Sequence, residues 1–158
     1  MIKAAVFSDT HGNTALMLET VRRVRPDVLI HLGDHERDAQ ELRREFPEIP
    51  LYCVRGNCDL CSFAPDTDIV PLGSVKAFIT HGHLYHVEYN RVDSLVYAAQ
   101  EQGCRVAMFG HTHSAYEHYE DGLYLLNPGS CAAPRGGRPS CGIVEIAGGS
   151  IITNIAEL

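Results

Sequence analysis

Seven side chains able to bind a divalent cation stand at the ends of short apolar runs. Asp9 and His11 follow Ile2 to Phe7, and Asp34 follows Val28 to Leu32 across the breaker Gly33. Asn57 comes after Leu51 to Val54, with Gly56 before it. His81 follows Val75 to Ile79, and His111 and His113 follow Val106 to Phe109. A single Asp after a Gly is ordinarily a turn residue or a helix cap, but five runs that all end in a metal-capable group exceed what turn chemistry explains. The set comprises two carboxylates, one amide oxygen and four imidazoles. That mixture suits borderline ions such as manganese, iron, nickel or zinc, whereas magnesium and calcium prefer mostly oxygen. Seven ligands exceed what one ion needs and fit two ions sharing a carboxylate. Two ions about 3.5–4 Å apart clamp a phosphoryl group and activate a bound water for in-line attack.

The elements that must position these groups read as β-α-β-α-β at the start. Ile2 to Ser8 is a strand, and Asn13 is the expected N-cap of a helix to Val24, with Met17, Val21 and Val24 on one face. Val28 to Leu32 reads as a strand buried on both faces. Glu36 to Phe46 reads as a helix burying Ala39, Leu42 and Phe46, and Leu51 to Val54 as a third strand. This order implies a parallel sheet with right-handed crossovers. Strands at Ile69 to Leu72 and Val75 to Thr80 then flank a Gly73-Ser74 turn, a helix runs over Arg91 to Gln102, and a strand over Cys104 to Phe109. Four antiparallel-looking strands close the chain: Ala115 to Tyr119, Leu123 to Leu126, Gly142 to Ile146 and Ser150 to Ile155. Helices early and strands late, without a linker, suggest two sheets face to face with helices outside. Pro128 to Pro139, rich in Gly, Pro and Arg, is the expected flexible loop.

Length, composition and charge narrow the function. A chain of 158 residues is most simply one domain, 1–158, with a core of its own. The net charge of −7 and the absence of a Lys/Arg cluster argue against long nucleic acid as a partner. No apolar run approaches the roughly 18 residues of a membrane span. The start of the chain leads directly into a strand, so no cleavable signal is expected and a cytoplasmic location is. Six cysteines invite a disulfide or zinc reading, yet Cys58-x-x-Cys61 has no second soft pair at matching spacing. Reduced, structural thiols are expected instead, with Cys53, Cys104 and Cys141 as small apolar side chains.

Taken in order, Asp9-x-His11, Gly33-Asp34, Gly56-Asn57, His81-Gly82-His83 and Gly110-His111-x-His113 resemble the signature of the calcineurin-like metallophosphoesterase superfamily, over nearly the whole chain. The short length, the Gly56-Asn57-Cys58-Asp59 variant and the Asn127-Pro128-Gly129-Ser130 turn resemble its small stand-alone YfcE-like phosphodiesterases. The resemblance implies an α/β fold of four layers, α/β/β/α, with two mixed sheets between helices. It implies that one metal takes Asp9, His11 and His113, that a second takes Asn57, His81 and His111, and that Asp34 bridges them. Two divalent transition-metal ions are the implied cofactors, manganese first, with nickel, iron or zinc as alternatives. The implied substrate is a small phosphate ester, a phosphodiester first; a homodimer stays open.

The chain departs from the family pattern at Cys58. Many relatives carry a histidine after the Gly-Asn, held to stabilise or protonate the leaving group. Cysteine, with an ordinary pKa near 8.5, donates a proton but hydrogen-bonds phosphate poorly. His83 is the first candidate for that role, with His86 and His35 behind it. Arg55, Asn127 and Arg135 are candidate phosphate contacts, with salt-bridge or turn roles as the plainer reading. Three rival functions stand beside the phosphodiesterase. They are a non-catalytic scaffold like the related retromer subunit, a nuclease, which neither charge nor a second domain supports, and a phosphomonoesterase.

Overall fold

The computed structural model describes residues 1–158, the side chain of Asn90 excepted. Ten strands and three helices form it: β1 Ile2–Phe7, α1 Ala15–Val24, β2 Val28–His31, α2 Glu36–Glu45, β3 Leu51–Cys53, β4 Thr67–Leu72, β5 Val75–Thr80, α3 Asp93–Glu101, β6 Val106–Met108, β7 Ala115–Glu120, β8 Leu123–Pro128, β9 Ser140–Ala147 and β10 Ser150–Glu157. One sheet has the order β10-β9-β1-β2-β3 and the other β4-β5-β6-β8-β7. Both are mixed: β1, β2 and β3 run parallel, as do β5, β6 and β8, and antiparallel strands complete the edges.

Three apolar layers explain the four-layer stack. Between the sheets, Ala4, Val6, Ile30 and Leu32 pack with Ala77, Ile79, Met108 and Leu126. Outside the first sheet, Met17, Val21 and Leu42 of α1 and α2 cover Ala5, Phe7 and Leu29. Outside the second, Leu95 and Ala99 of α3 cover Phe78, Ala107 and Leu125. Each large side chain so buried contributes about 1.5–3 kcal/mol. The near-complete burial of β5, exposed only at Lys76, and the full burial of β2 follow from this: a strand between two layers is covered on both faces.

Parallel pairing in register aims the strand ends. Phe7 pairs with His31, and His31 with Cys53, so the chain leaves β1, β2 and β3 at one end of the first sheet. Ile79 pairs with Met108, so β5 and β6 finish together in the second.

Several expectations shift in detail. The residue before α1 is Thr14 rather than Asn13, and it makes no side-chain cap bond. Val24, the last residue of α1, is only half-buried. Pro128–Pro139 is anchored rather than loose at its start. The buried Ser130 Oγ donates to Asp9 O at 2.8 Å and accepts from Ala133 N at 2.8 Å. All six thiols are free, as expected, but the apolar setting holds only in part: Cys104, Cys131 and Cys141 are buried, while Cys58 and Cys61 are exposed. The segment after His81 contains two single 3-10 turns, His83–Tyr85 and Glu88–Asn90, that periodicity did not indicate. No helix is long and apolar enough to cross a membrane.

Candidate metal centre

All seven side chains at the strand ends meet at one end of the sandwich. Asp9, His11, Asp34 and His113 each place a ligand atom within 4.8 Å of the others. A second group adjoins it: Asn57 Oδ1 lies 3.1 Å from His81 Nε2 and 3.0 Å from His111 Nδ1. Asp34 Oδ2 sits between the groups, 3.7 Å from His11 Nε2 and 3.5 Å from His81 Nε2.

Each carboxylate has one oxygen satisfied from behind and one turned inward. Asp9 Oδ2 accepts from Ser8 Oγ at 2.6 Å and from His111 N at 3.0 Å. Its Oδ1 is buried without a hydrogen-bond partner among the described residues and faces His113 Nε2 at 3.3 Å. Asp34 Oδ1 accepts from Cys58 N at 2.9 Å, leaving Oδ2 for the site. Gly56 is required here by close approach, since a Cβ on it would come within 2.0 Å of Asp34 Oδ1.

The imidazoles are set by acceptors that can only accept. His81 Nδ1 donates to Leu32 O and His113 Nδ1 to Ala133 O, both at 2.7 Å, which leaves each Nε2 with a lone pair turned inward. His113 Nε2 then faces His11 Nε2 at 3.3 Å. Two clusters of lone pairs and carboxylate oxygens, packed this closely with few protons to share, are what bound cations would relieve. With Asp9 Oδ1 unpartnered among the described residues, this inward-facing donor set fits a divalent cation.

The backbone is strained to make this geometry. Asp9, His11, Asp34, His111 and His113 all have left-handed φ, from 45° to 71°. Asp and His tolerate that region better than most residues, at a cost on the order of 1 kcal/mol each. Electrostatics follow the same plan. Burial pushes the Asp34 carboxyl up, but the neighbouring His81 and the Cys58 amide outweigh it and hold it well below the usual range. Burial likewise opposes the ionised Asp9, and its contacts with His113, His81 and Ser8 prevail, so its carboxyl titrates low. The carboxylate of Asp9 beside it raises His113, and Asp34 and Asp9 raise His81 against its burial.

The remaining candidates divide clearly. A cavity of about 560 Å³ opens over the site, bordered by Cys58, Arg135, Ser114, Thr112, Glu88 and Tyr89 and by His11, Asp34, Asn57, His111 and His113, with Asp9 and His81 buried beneath. Cys58 is exposed there, its thiol pushed up by burial and by Asp34. His83 is half-buried behind His81, with ring centroids 5.4 Å apart, and does not border this cavity. His86 is exposed, and His35 lies beside Asp38, its Nδ1 3.7 Å from Oδ1. Arg55 is engaged by Asp66, with Nε 2.6 Å from Oδ1. Asn127 is buried in its turn, donating to Gly110 O and accepting from Gly129 N, both at 3.0 Å. Of the three candidate phosphate contacts only Arg135 reaches the cavity.

Sequence reading missed three groups. Asp59 accepts four backbone N–H bonds of 2.8–2.9 Å, from Asp34, His35, Glu36 and Gly56. It thereby caps α2 from a distant loop and ties the Asp34 turn to the Asn57 turn. Its place directly after Gly56-Asn57-Cys58 was the available signal. His31, fully buried in β2, accepts from Gly33 N through Nδ1 at 3.3 Å and pairs with Thr10 Oγ1 through Nε2 at 3.0 Å. Glu88 Oε1 meets His111 Nε2 at 3.0 Å.

Residues 2–149 match the model of the calcineurin-like phosphoesterase superfamily domain. A probable metallophosphoesterase of Bacillus subtilis, YsnB, is 33% identical over 132 residues, covering 82% of this chain and 75% of the relative. The phosphodiesterase YfcE of Escherichia coli is 30% identical over 169 residues, covering 89% and 85%. Among solved structures, a predicted phosphoesterase of Streptococcus pneumoniae superimposes with a TM-score of 0.84 at 30% identity, over 99% of this chain and 89% of that one.

Proposed function

The chain belongs to the calcineurin-like phosphoesterase superfamily and is a hydrolase of phosphoric ester bonds, and from that premise we propose that it cleaves small phosphodiesters at a site for two divalent transition-metal ions. The observation that carries the reading is the position of Asp34 Oδ2 between two donor sets, 3.7 Å from His11 Nε2 and 3.5 Å from His81 Nε2. Asp9, His11 and His113 would hold one ion, Asn57, His81 and His111 the other, and Asp34 both. When bound, such a pair supplies positive charge to the phosphoryl oxygens and an acidified water.

The protein's own groups do the rest. Asp34 and Asp9 are held ionised by the contacts described above, so the donor set stays charged well below neutral pH. Arg135 brings a guanidinium to the cavity wall, placed to orient a phosphoryl oxygen or the second ester arm. Cys58 keeps its proton at neutral pH, a poor but available donor for a departing oxygen. Glu88 adds a negative charge to the rim, which opposes a dianionic monoester more than a monoanionic diester. The naming of the Escherichia coli relative as a phosphodiesterase points the same way. The mixed oxygen and imidazole donors suit manganese, iron, nickel or zinc, and six unpaired thiols suit the cytoplasm.

The test is a metal analysis combined with a paired assay of an aryl phosphodiester and the matching monoester, with manganese added. Two ions per chain and a higher kcat/KM on the diester are expected. Faster monoester turnover would reverse the substrate assignment, and two bound ions with no turnover of either ester would remove the diesterase reading.

A further inference from the structure

His111 is held from both sides. Its Nδ1 faces Asn57 Oδ1 at 3.0 Å and its Nε2 faces Glu88 Oε1 at 3.0 Å. An ionised carboxylate only accepts, so Nε2 carries a proton toward Glu88, and an ion shared with Asn57 Oδ1, itself an acceptor, would take the Nδ1 lone pair. Without Glu88 the ring would be free to carry its proton on either nitrogen, or to swing toward the solvent that reaches one side of it.

The turn that presents Glu88 is built for the purpose. Val87 is fully buried, and its neighbours on either side of the Val87–Glu88 pair, His86 and Tyr89, have left-handed φ of 54° and 59°. Val87 fills the space beside Gly82, where a Cβ would come within 2.7 Å of Val87 Cγ2. The glycine between His81 and His83 thus makes room for the anchor that sets Glu88. Strain of this kind persists only where the surroundings over-determine it.

We propose that Glu88 is a positioning residue for His111, the outer member of a carboxylate–imidazole–metal relay that sets the affinity of the ion held by Asn57, His81 and His111. The inference rests on the two-ion reading above and adds to it a cause for unequal affinity at the two positions. The ion at Asp9, His11 and His113 is served by the backbone carbonyl of Ala133 instead. It therefore does not depend on Glu88.

The experiment is calorimetric manganese titration of the metal-stripped wild-type protein, E88Q and E88A, with nitrogen-15 NMR of the histidine rings in the metal-free state. Wild-type should show two binding events and a His111 ring protonated at Nε2. E88A should weaken one event by tenfold to a hundredfold, leave the other unchanged and mix the His111 ring tautomers. E88Q keeps an acceptor oxygen, so it should keep the tautomer and lose affinity by less. Two unchanged events in E88A, or equal weakening of both, would overturn the assignment. Fewer than two events in wild-type would instead reject the two-ion reading itself, before any variant is made. The Glu88 side chain is about half exposed, and thermal melting of E88A at the wild-type temperature is expected.

Discussion

The two sheets bring different chemistry to the shared end of the molecule. The first, through the ends of β1, β2 and β3, delivers Asp9, Asp34 and Asn57, all oxygen donors, with His11 as the exception. The second, through β5 and β6, delivers His81, His111 and His113, all nitrogen donors. Their supports are also different. Oxygen donors are steadied by hydrogen-bond donors, such as Cys58 N and Ser8 Oγ, and imidazoles by acceptors, such as Leu32 O, Ala133 O and Glu88. The supports cross over: His111 N of the second sheet holds Asp9, and Leu32 O of the first holds His81. Neither half of the site is complete until the sheets dock, so the apolar layer between them fixes the ligand distances.

The sharpest break of that complementarity is Asp34→Ala. It removes the one oxygen between the two donor sets, and activity should fall by at least roughly a thousandfold, beyond the usual share of one electrostatic donor, with bound metal lowered. Metal analysis and initial rates check this; activity near wild-type would end the bridging role. His81→Ala is the matched change on the nitrogen side. It should cost one ion and spare the one at Asp9, His11 and His113.

Asp59→Ala tests how the oxygen half is built. Four N–H groups lose a charged acceptor, and unfolding in denaturant should show a loss of roughly 2–4 kcal/mol. Asn at the same position keeps one oxygen and should recover part of it. A change within about 0.5 kcal/mol would mean that water replaces the clamp.

The first sheet also holds a histidine of the opposite kind. Burial pushes His31 down to about 4, against the charges of Asp38, Asp9 and Asp59. The folded chain therefore keeps this ring neutral at a pH where the unfolded chain binds a proton. Stability is fully present above the ordinary value of 6.5 and falls as pH drops from 6.5 to about 4, by about 3 kcal/mol. Denaturation midpoints for wild-type and His31→Gln across that window should converge at low pH; parallel curves would assign the acid sensitivity elsewhere.

The smallest effect concerns Cys58. A positioned general acid contributes about 10²–10⁴-fold, and a thiol with a raised pKa at the cavity rim supplies little of it. Rates on diesters of graded leaving-group pKa should fall steeply in wild-type. Cys58→His should flatten the slope, with a gain of about tenfold on the poorest leaving groups. Equal slopes at normal metal content would show another donor at work.

The oxygen and nitrogen donors were both legible in the sequence because each follows an apolar run that can only be an interior strand. Asp9 after Ile2–Phe7 and His111 after Val106–Met108 need no structure to be noticed. Their supports were not. Asp59 acts across 23 to 25 residues on Asp34, His35 and Glu36, and an Asp in a polar loop looks like any turn residue. Helix α2 carries no local cap signal because its cap comes from that loop. Pro128–Pro139 reads as loose by composition, yet Ser130 is buried because it spans to Asp9, 121 positions away. His83 stood out in its His-x-His pattern, but the nearby Glu88 borders the cavity and His83 does not. Local pattern marks where a strand ends, and only the packed sheets decide which polar neighbour faces inward.

The strand that carries Asp9 lies between β2 and β9, and β9 begins only at Ser140. During synthesis β1 therefore waits, an edge without its second neighbour, until most of the chain has been made. Asp9 meets His111 and Ser130 across separations of 102 and 121 residues. Loop closure over such distances is slow and comes late on the folding pathway. Ion capture is then a sign that folding has finished rather than a nucleus that starts it. Refolding from denaturant should give the same rate with or without manganese, and the ion should act on unfolding alone.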